Sequence, residues 1–188
     1  MYFYIDGDNG PGSRTLGLSK LRKGDVVKVF YADNNKHYSQ ACVRDGLSNN
    51  CRGTVEFISV RAGANAVDFA IAVHIARDCA TGEAGKVLCM VSGDKHFDIV
   101  KNELGSLYGE ITVNRVESIE EGVMRYFLLD VDSLGSLQEM LEQMYGLETG
   151  VDAYLSLKGL FEEQSQPVAL SSPRTRIPVL QVIKSLAN

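Results

Sequence analysis

Apolar and polar positions alternate in short blocks along most of the chain. Apolar runs rich in β-branched and aromatic residues predict strands at 1–5, 26–31, 54–60, 86–91 and 111–116. Between them, apolar residues at helical spacing predict helices at 13–23, 38–45, 65–78, 97–104 and 118–128. This alternation predicts an α/β fold with a doubly wound, mostly parallel central sheet flanked by helices.

The pattern changes after residue 130. The tail contains a leucine-rich helical segment, a polar linker with prolines and a short last helix, at 133–161, 164–178 and 179–187. We therefore expect one domain at 1–130 and a helical accessory or assembly region at 131–188. The leucines of this region either pack inside it or support a homo-oligomer.

Composition excludes several classes of protein. Hydrophobic residues make up 45% of 188 residues, which is enough for a core without disulfides. No apolar run approaches the length of a membrane span, and the amino terminus enters a strand pattern without a signal peptide, so we expect a cytoplasmic protein. The four cysteines lack C-x-x-C spacing, and Cys79 and Cys89 are expected in the core.

The charge balance bears on the partners of the protein. The chain carries 19 basic and 24 acidic residues, a net charge of −5. A protein that coats nucleic acid needs many basic residues against the phosphates, so this class is disfavoured. An enzyme whose acids hold a divalent cation that faces the phosphate stays compatible with the charge.

Candidate chemistry lies in five aspartates at strand ends or in first turns of helices: Asp6, Asp8, Asp68, Asp94 and Asp98. Because the carboxyl ends of parallel strands meet at one edge of a sheet, we expect these acids to converge. Converging carboxylates repel one another unless a cation compensates their charge. Mg²⁺ or Mn²⁺ prefers oxygen ligands and would polarise a phosphodiester while lowering the pKa of a bound water, so phosphodiester hydrolysis is the expected reaction.

Neighbouring polar residues have functional and local interpretations. Lys95 and His96 could reach a phosphate or lie in solvent, and Asn9 could orient a water or a carboxylate. Asn65 is placed to cap the helix that follows it. Each aspartate could likewise be only a turn former or a first-turn acid of a helix. His74 has apolar neighbours at helical spacing, which favours a packed histidine.

Three segments carry a resemblance to a known family: YIDGDN at 4–9, NAVDFA at 65–70 and VSGDKHFD at 91–98. At these residues the chain resembles the PIN-like nucleases, in particular the NYN-related bacterial group, over about residues 1–130. The resemblance implies a Mg²⁺ or Mn²⁺ site for RNA cleavage in which the ligands and catalytic residues are Asp6, Asp68, Asp94 and Asp98. Asn9 and Ser92 would support it.

The expected function is therefore a metal-dependent endoribonuclease acting on single-stranded or structured RNA. The RNA would be bound by nearby basic residues, either Arg14, Lys20, Arg22 and Lys23 or the tail pair Arg174 and Arg176, unless these lie in solvent.

Two alternative functions stay open. Asp6-Gly7-Asp8 and the later pair of acids also resemble haloacid-dehalogenase-like phosphatases, in which Asp6 would be the nucleophile and Asp8 a general acid or base. A non-catalytic nucleic-acid-binding or assembly module is the other alternative.

Overall fold

A computed structural model describes residues 1–82, 87–130 and 146–162, together with 138, 139, 141 and 142. The chain forms two compact units that divide between Val123 and Met124. The first unit contains the five strands and the helices between them, and the division falls inside the helix at Ile119–Asp130. The second contains the described part of the carboxyl-terminal region.

The first unit is built on a five-stranded sheet, in which all four strand pairs are parallel. Its strands are β1 (Tyr2–Asp6), β2 (Val26–Ala32), β3 (Thr54–Val60), β4 (Val87–Val91) and β5 (Thr112–Val116). The spatial order is β3-β2-β1-β4-β5, with β1 and β4 adjacent in the middle. The chain fills one side of β1 first and then the other, so the β1–β4 boundary is a topological switch point, where open α/β sheets form a crevice.

Helices connect the strands. They are α1 (Pro11–Arg14), α2 (Ala41–Asn49), α3 (Ala66–Thr81), α4 (Phe97–Leu107) and α5 (Ile119–Asp130), with a 3₁₀ turn at Leu18–Lys20. The predicted α/β architecture is thus confirmed.

The central strands are buried on both faces, as their continuous apolar runs require. On one face, Tyr4 and Phe30 belong to a core cluster with Ile71 of α3 and Phe97 of α4. On the other face, α5 approaches so closely at Gly122 that an added Cβ would lie 2.7 Å from the ring of Phe3. Cys79 and Cys89 are buried in the core, as expected.

One local prediction is wrong, and a second, the cap position of Asn65, is confirmed without the expected side-chain hydrogen bond. Residues 13–23 do not form one helix, because Gly17 adopts a left-handed φ of 88° between α1 and the 3₁₀ turn. A Cβ there would lie 2.6 Å from the backbone of Glu120, so only glycine fits this contact. Asn65 precedes α3 but makes no side-chain cap hydrogen bond; its own φ is 54°, a left-handed conformation that asparagine tolerates better than most residues.

The second unit contains α6 (Leu147–Glu162), which overlaps the predicted leucine-rich helical segment at 133–161 and ends one residue beyond it. The predicted linker at 164–178 and the last helix at 179–187 lie outside the described residues. The proposed homo-oligomer stays a prediction. In the described part of the chain, no helix combines the length and apolarity that crossing a membrane requires.

Candidate active site

An acidic cleft of about 310 Å³ opens at the switch point, and we call it the acid cleft. Its carboxylates come from the end of β1, the first turn of α3 and the loop after β4: Asp6, Asp8, Asp68 and Asp94. Asn9, Gly10, Gly63, Asn65, Ala66 and Val67 complete the lining. Acids from chain segments far apart in sequence therefore share one cleft, as the ends of parallel strands predict.

Asp6 is the most deeply buried acid of the cleft, with 3% of its surface exposed. Its Oδ2 accepts a hydrogen bond from the Ser92 hydroxyl at 2.9 Å, and its Oδ1 accepts one from the backbone N–H of Asp8 at 3.2 Å. Burial raises the pKa of Asp6 and outweighs these hydrogen bonds, while the charge of Asp8 raises it further. The ionised form of Asp6 is thus poorly stabilised by the protein alone.

Asp8 fixes the loop after β1 to the end of β2. Both of its carboxylate oxygens lie 3.2 Å from the backbone nitrogen of Ala32, and Oδ1 accepts a hydrogen bond from the Asn35 amide at 2.6 Å. Below this loop lies the buried ring of Tyr38, against which a Cβ on Gly7 would clash at 2.7 Å. Asp8 therefore has a structural role in shaping the cleft in addition to lining it.

Asp68 lies in the first turn of α3 and is partly buried. Burial is the largest cause of its raised pKa, and the negative charges of Asp6 and Asp94 add to the effect. The nearby His96 acts in the opposite direction. Asp68 thus feels the electrostatic repulsion expected of acids that gather without a compensating cation.

Asp94 is held by the loop that follows β4. Its Oδ1 accepts hydrogen bonds from the backbone N–H of His96 at 2.9 Å and lies 3.1 Å from the His96 Nδ1. The backbone hydrogen bond is the main reason why the pKa of Asp94 is lowered. The N–H of Asp94 donates to the Ser92 hydroxyl at 3.1 Å, so Ser92 links Asp94 to Asp6.

Asp98 does not line the acid cleft, although it was expected to join the other acids. Its carboxylate pairs with Arg115 of β5, whose Nε lies 2.8 Å from Oδ1, and this hydrogen bond lowers the pKa of Asp98. Arg115 also donates to the backbone carbonyl of Ser92 at 3.3 Å. Asp98 therefore positions Arg115 under the β4 loop. Lys95 is exposed on that loop.

The contacts of Arg14 have no counterpart among the sequence-based predictions. Its Nε donates to the carbonyl of Asn9 and its Nη1 to the carbonyl of Glu117, both at 2.8 Å. Its Nη2 lies 2.6 Å from where a Cβ on Gly93 would stand, so the guanidinium packs against the β4 loop. Lys20, from the same basic cluster, instead pairs with Glu120. Arg14 thus brings positive charge to the rim of the cleft.

Arg115 and Asn35 were also missed, because their roles depend on contacts between distant segments. The available signals were a charged residue inside a strand, for Arg115, and an asparagine in the loop three residues after a strand, for Asn35. Neither signal by itself indicates which carboxylate is the partner.

The carboxylates determine which cation the cleft could hold. Among the residues that the structure describes, no three His, Cys, Asp or Glu side chains are placed to ligate a single ion together. Mg²⁺ commonly takes one or two carboxylates and keeps several waters, so it does not require such a group. Asp6 and Asp68, whose pKa values are raised, are the acids whose charge a cation would compensate. The donor set fits a hydrated, hard divalent cation.

Comparisons with protein-family models, curated proteins and solved structures find no match for this chain. The function is therefore argued from the geometry and the charges of the cleft, and the PIN-like resemblance stays a prediction.

Proposed function

We propose that the protein is a divalent-metal-dependent ribonuclease, with endonucleolytic action on RNA, that hydrolyses phosphodiester bonds at the acid cleft. One observation carries the proposal: Asp6, Asp8, Asp68 and Asp94 line one cleft at the switch point of the sheet, and the pKa values of Asp6 and Asp68 are raised. Such a concentration of carboxylates opposes the binding of a phosphate unless a cation is bound as well.

Asp6 and Asp68 would hold Mg²⁺ or Mn²⁺, with Asp94 acting through waters in its shell and Asp8 holding the loop that shapes the cleft. The bound ion would polarise the phosphodiester and make a water more acidic. The residues around it have supporting roles. Ser92 fixes the carboxylate of Asp6 through its hydroxyl, and Arg115 fixes the loop that carries Ser92.

The RNA phosphate would meet positive charge from two directions. The amino end of α3 lines the cleft at Ala66 and Val67, and the partial positive charge of a helix amino terminus favours a phosphate. Arg14 lies at the rim beside Gly93. These groups would orient the phosphate, while the net negative charge of the chain keeps non-specific binding of RNA weak.

The phosphatase alternative receives less support from the geometry. It needs Asp8 to exchange a proton with a leaving group close to Asp6. Both oxygens of Asp8 instead face backbone and side-chain N–H groups of the segment after β2. Asp8 is therefore committed to holding the loop, which suits a metal site better than a proton-transfer role.

The test compares three variants for cleavage of single-stranded RNA with Mg²⁺ or Mn²⁺. We expect Asp6→Asn and Asp68→Asn to lose at least about 100-fold in rate, because even outer-shell partners of metal ligands cost 10- to 100-fold. Glu103→Gln is the matched control, since it removes one acid from the exposed surface of α4. Circular dichroism checks that all three variants are folded.

The outcomes separate the candidate functions. Undiminished cleavage by both cleft variants would refute the proposal. Metal binding by the wild type without cleavage would favour a non-catalytic module, and release of phosphate from small esters through a phosphorylated Asp6 would favour the phosphatase.

A further inference from the structure

An apolar pocket of about 370 Å³ borders the acid cleft. The two share Asn65 and Asp68 as a common edge. The rest of the pocket is formed by residues of α3, of α4 and of the loop before α4: Phe69, Ala72, His96, Phe97, Ile99 and Val100. A ligand bound in the acid cleft therefore has an apolar surface directly beside it.

Large apolar side chains are exposed on both walls of this pocket. Phe69 of α3 is 68% exposed and Ile99 of α4 is 64% exposed. The imidazole of His96 stands at the mouth with 85% of its side chain exposed, while Phe97 is buried below. Single exposed apolar residues are common, but an aromatic and an aliphatic side chain facing one pocket beside a polar cleft indicate a binding site.

The neighbouring acid cleft restricts the ligand. An occupant that lies across Asp68 must carry a flat apolar part for the pocket and an anionic or metal-binding part for the cleft. A nucleotide within a nucleic-acid strand has both parts joined by a sugar. Bases in a duplex are paired and stacked on one another, so only an unpaired base can enter a side pocket.

The charge of the chain favours such a contact. With 19 basic against 24 acidic residues, the net charge of −5 weakens the overall attraction between the protein and a phosphate backbone. Stacking of a base on an aromatic side chain supplies affinity that does not depend on net charge.

We propose that this pocket binds an unpaired nucleobase next to the phosphate held in the acid cleft, by stacking on Phe69, and that the substrate is therefore single-stranded. The inference rests on the proposed ribonuclease function and specifies its substrate. Because every base has an aromatic face, the pocket selects single strands over duplexes more than one base over another.

The absence of tryptophan from the sequence allows a direct test. Phe69→Trp places the only indole of the protein in the pocket. Val73→Trp is the matched control, since Val73 lies one turn further along α3, is 66% exposed and does not line the pocket. Both variants are titrated with a short single-stranded oligoadenylate and with the corresponding duplex. Ca²⁺ replaces Mg²⁺ so that binding is followed separately from cleavage, and gel electrophoresis checks that the RNA stays intact.

We expect the single strand to quench the fluorescence of Phe69→Trp and to leave Val73→Trp nearly unchanged, with the duplex affecting neither. Phe69→Ala should weaken binding of the single strand about five- to 100-fold, whereas Phe69→Tyr should retain most of it. Equal quenching of both tryptophan variants, or unchanged affinity of Phe69→Ala, would overturn the inference.

Failure of this inference is distinguishable from failure of the ribonuclease proposal. If Phe69→Ala binds and cleaves single strands like the wild type, the pocket has another occupant, such as an apolar peptide, and the ribonuclease proposal survives. If the wild type neither binds nor cleaves RNA with any divalent cation, both proposals fall.

Discussion

Two aspartates of the same helix show opposite electrostatic behaviour. Asp68 lies in the first turn of α3 and lines the acid cleft. Asp78 lies near the carboxyl end of the same helix and is fully buried. The pKa of Asp68 is raised, whereas the pKa of Asp78 is lowered despite its deeper position. Burial alone therefore does not determine the charge state of a carboxyl group in this protein.

The partners of each carboxylate explain the difference. Asp78 accepts hydrogen bonds from Lys28 at 2.6 Å and from Arg77 and Tyr4 at 2.7 Å. Within the described ranges, no lysine or arginine forms an ion pair with Asp6, Asp68 or Asp94. The Asp78 cluster contains its own compensating cations, while under the proposed function the acid cleft would take a cation from solution. A functional carboxylate is thus better indicated by incomplete compensation than by burial.

The largest effect is expected from removing a cation of the Asp78 cluster. Lys28→Met removes the buried cation that pairs with Asp78 and leaves only the half-exposed Arg77 as a charged partner, which should lower the free energy of unfolding by about 3 kcal/mol, the lower end of the cost of breaking a buried ion pair. Chemical denaturation measures this loss, with Lys36→Met as the control because Lys36 is exposed. If both variants unfolded at the same denaturant concentration, Lys28 would not be compensating the buried charge of Asp78.

Addition of a divalent cation should have the next largest effect on the free energy of unfolding. This effect should depend on the carboxylates of the acid cleft. At 100 times its dissociation constant, Mg²⁺ or Mn²⁺ should stabilise the wild type by about 2.7 kcal/mol. Asp6→Asn should lose most of this gain, whereas Glu103→Gln should keep it. Thermal melts with the metal and with a chelator measure the difference. If the cation stabilised Asp6→Asn as much as the wild type, its binding site would lie outside the acid cleft.

The sequence predicted the strands well because buried parallel strands leave continuous apolar runs between turn residues, as in VLCMV of β4. Convergence of Asp6, Asp68 and Asp94 followed from topology alone. The spacing of Asp94 and Asp98 indicated a common face, but Arg115 of β5 pairs with Asp98 outside the cleft. Pairing of this kind depends on strand order and register, which a single sequence does not encode in a local pattern.

Lys28 illustrates a signal that was present but incomplete. It interrupts the apolar strand VVKVFYA, and a charged residue in a buried strand requires a partner. Nothing local to either residue identifies Asp78, which lies 50 residues further along the chain. The interruption of the predicted helix 13–23 at Gly17 likewise depends on a distant contact, because Gly17 packs closely against Glu120 of α5.

The smallest effect is expected in the pH dependence of stability without divalent cations. A carboxyl group whose pKa is raised by folding takes up protons more readily in the folded state, so it destabilises the protein increasingly as the pH rises above the ordinary value of 3.8. Asp6→Asn removes this cost. The variant should therefore be more stable than the wild type at neutral pH, and the difference should shrink as the pH falls toward 3.8. Asp78 affects stability in the opposite direction, because its lowered pKa contributes stability that is lost only as the pH falls below 3.8.

Urea denaturation of the wild type and of Asp6→Asn between neutral and acidic pH, with a chelator present, measures the difference in stability. A wild type that is more stable than Asp6→Asn at neutral pH under these conditions would mean that the acid cleft, like the Asp78 cluster, is compensated from within the protein, and the main electrostatic argument for the proposed metal ion would then fall.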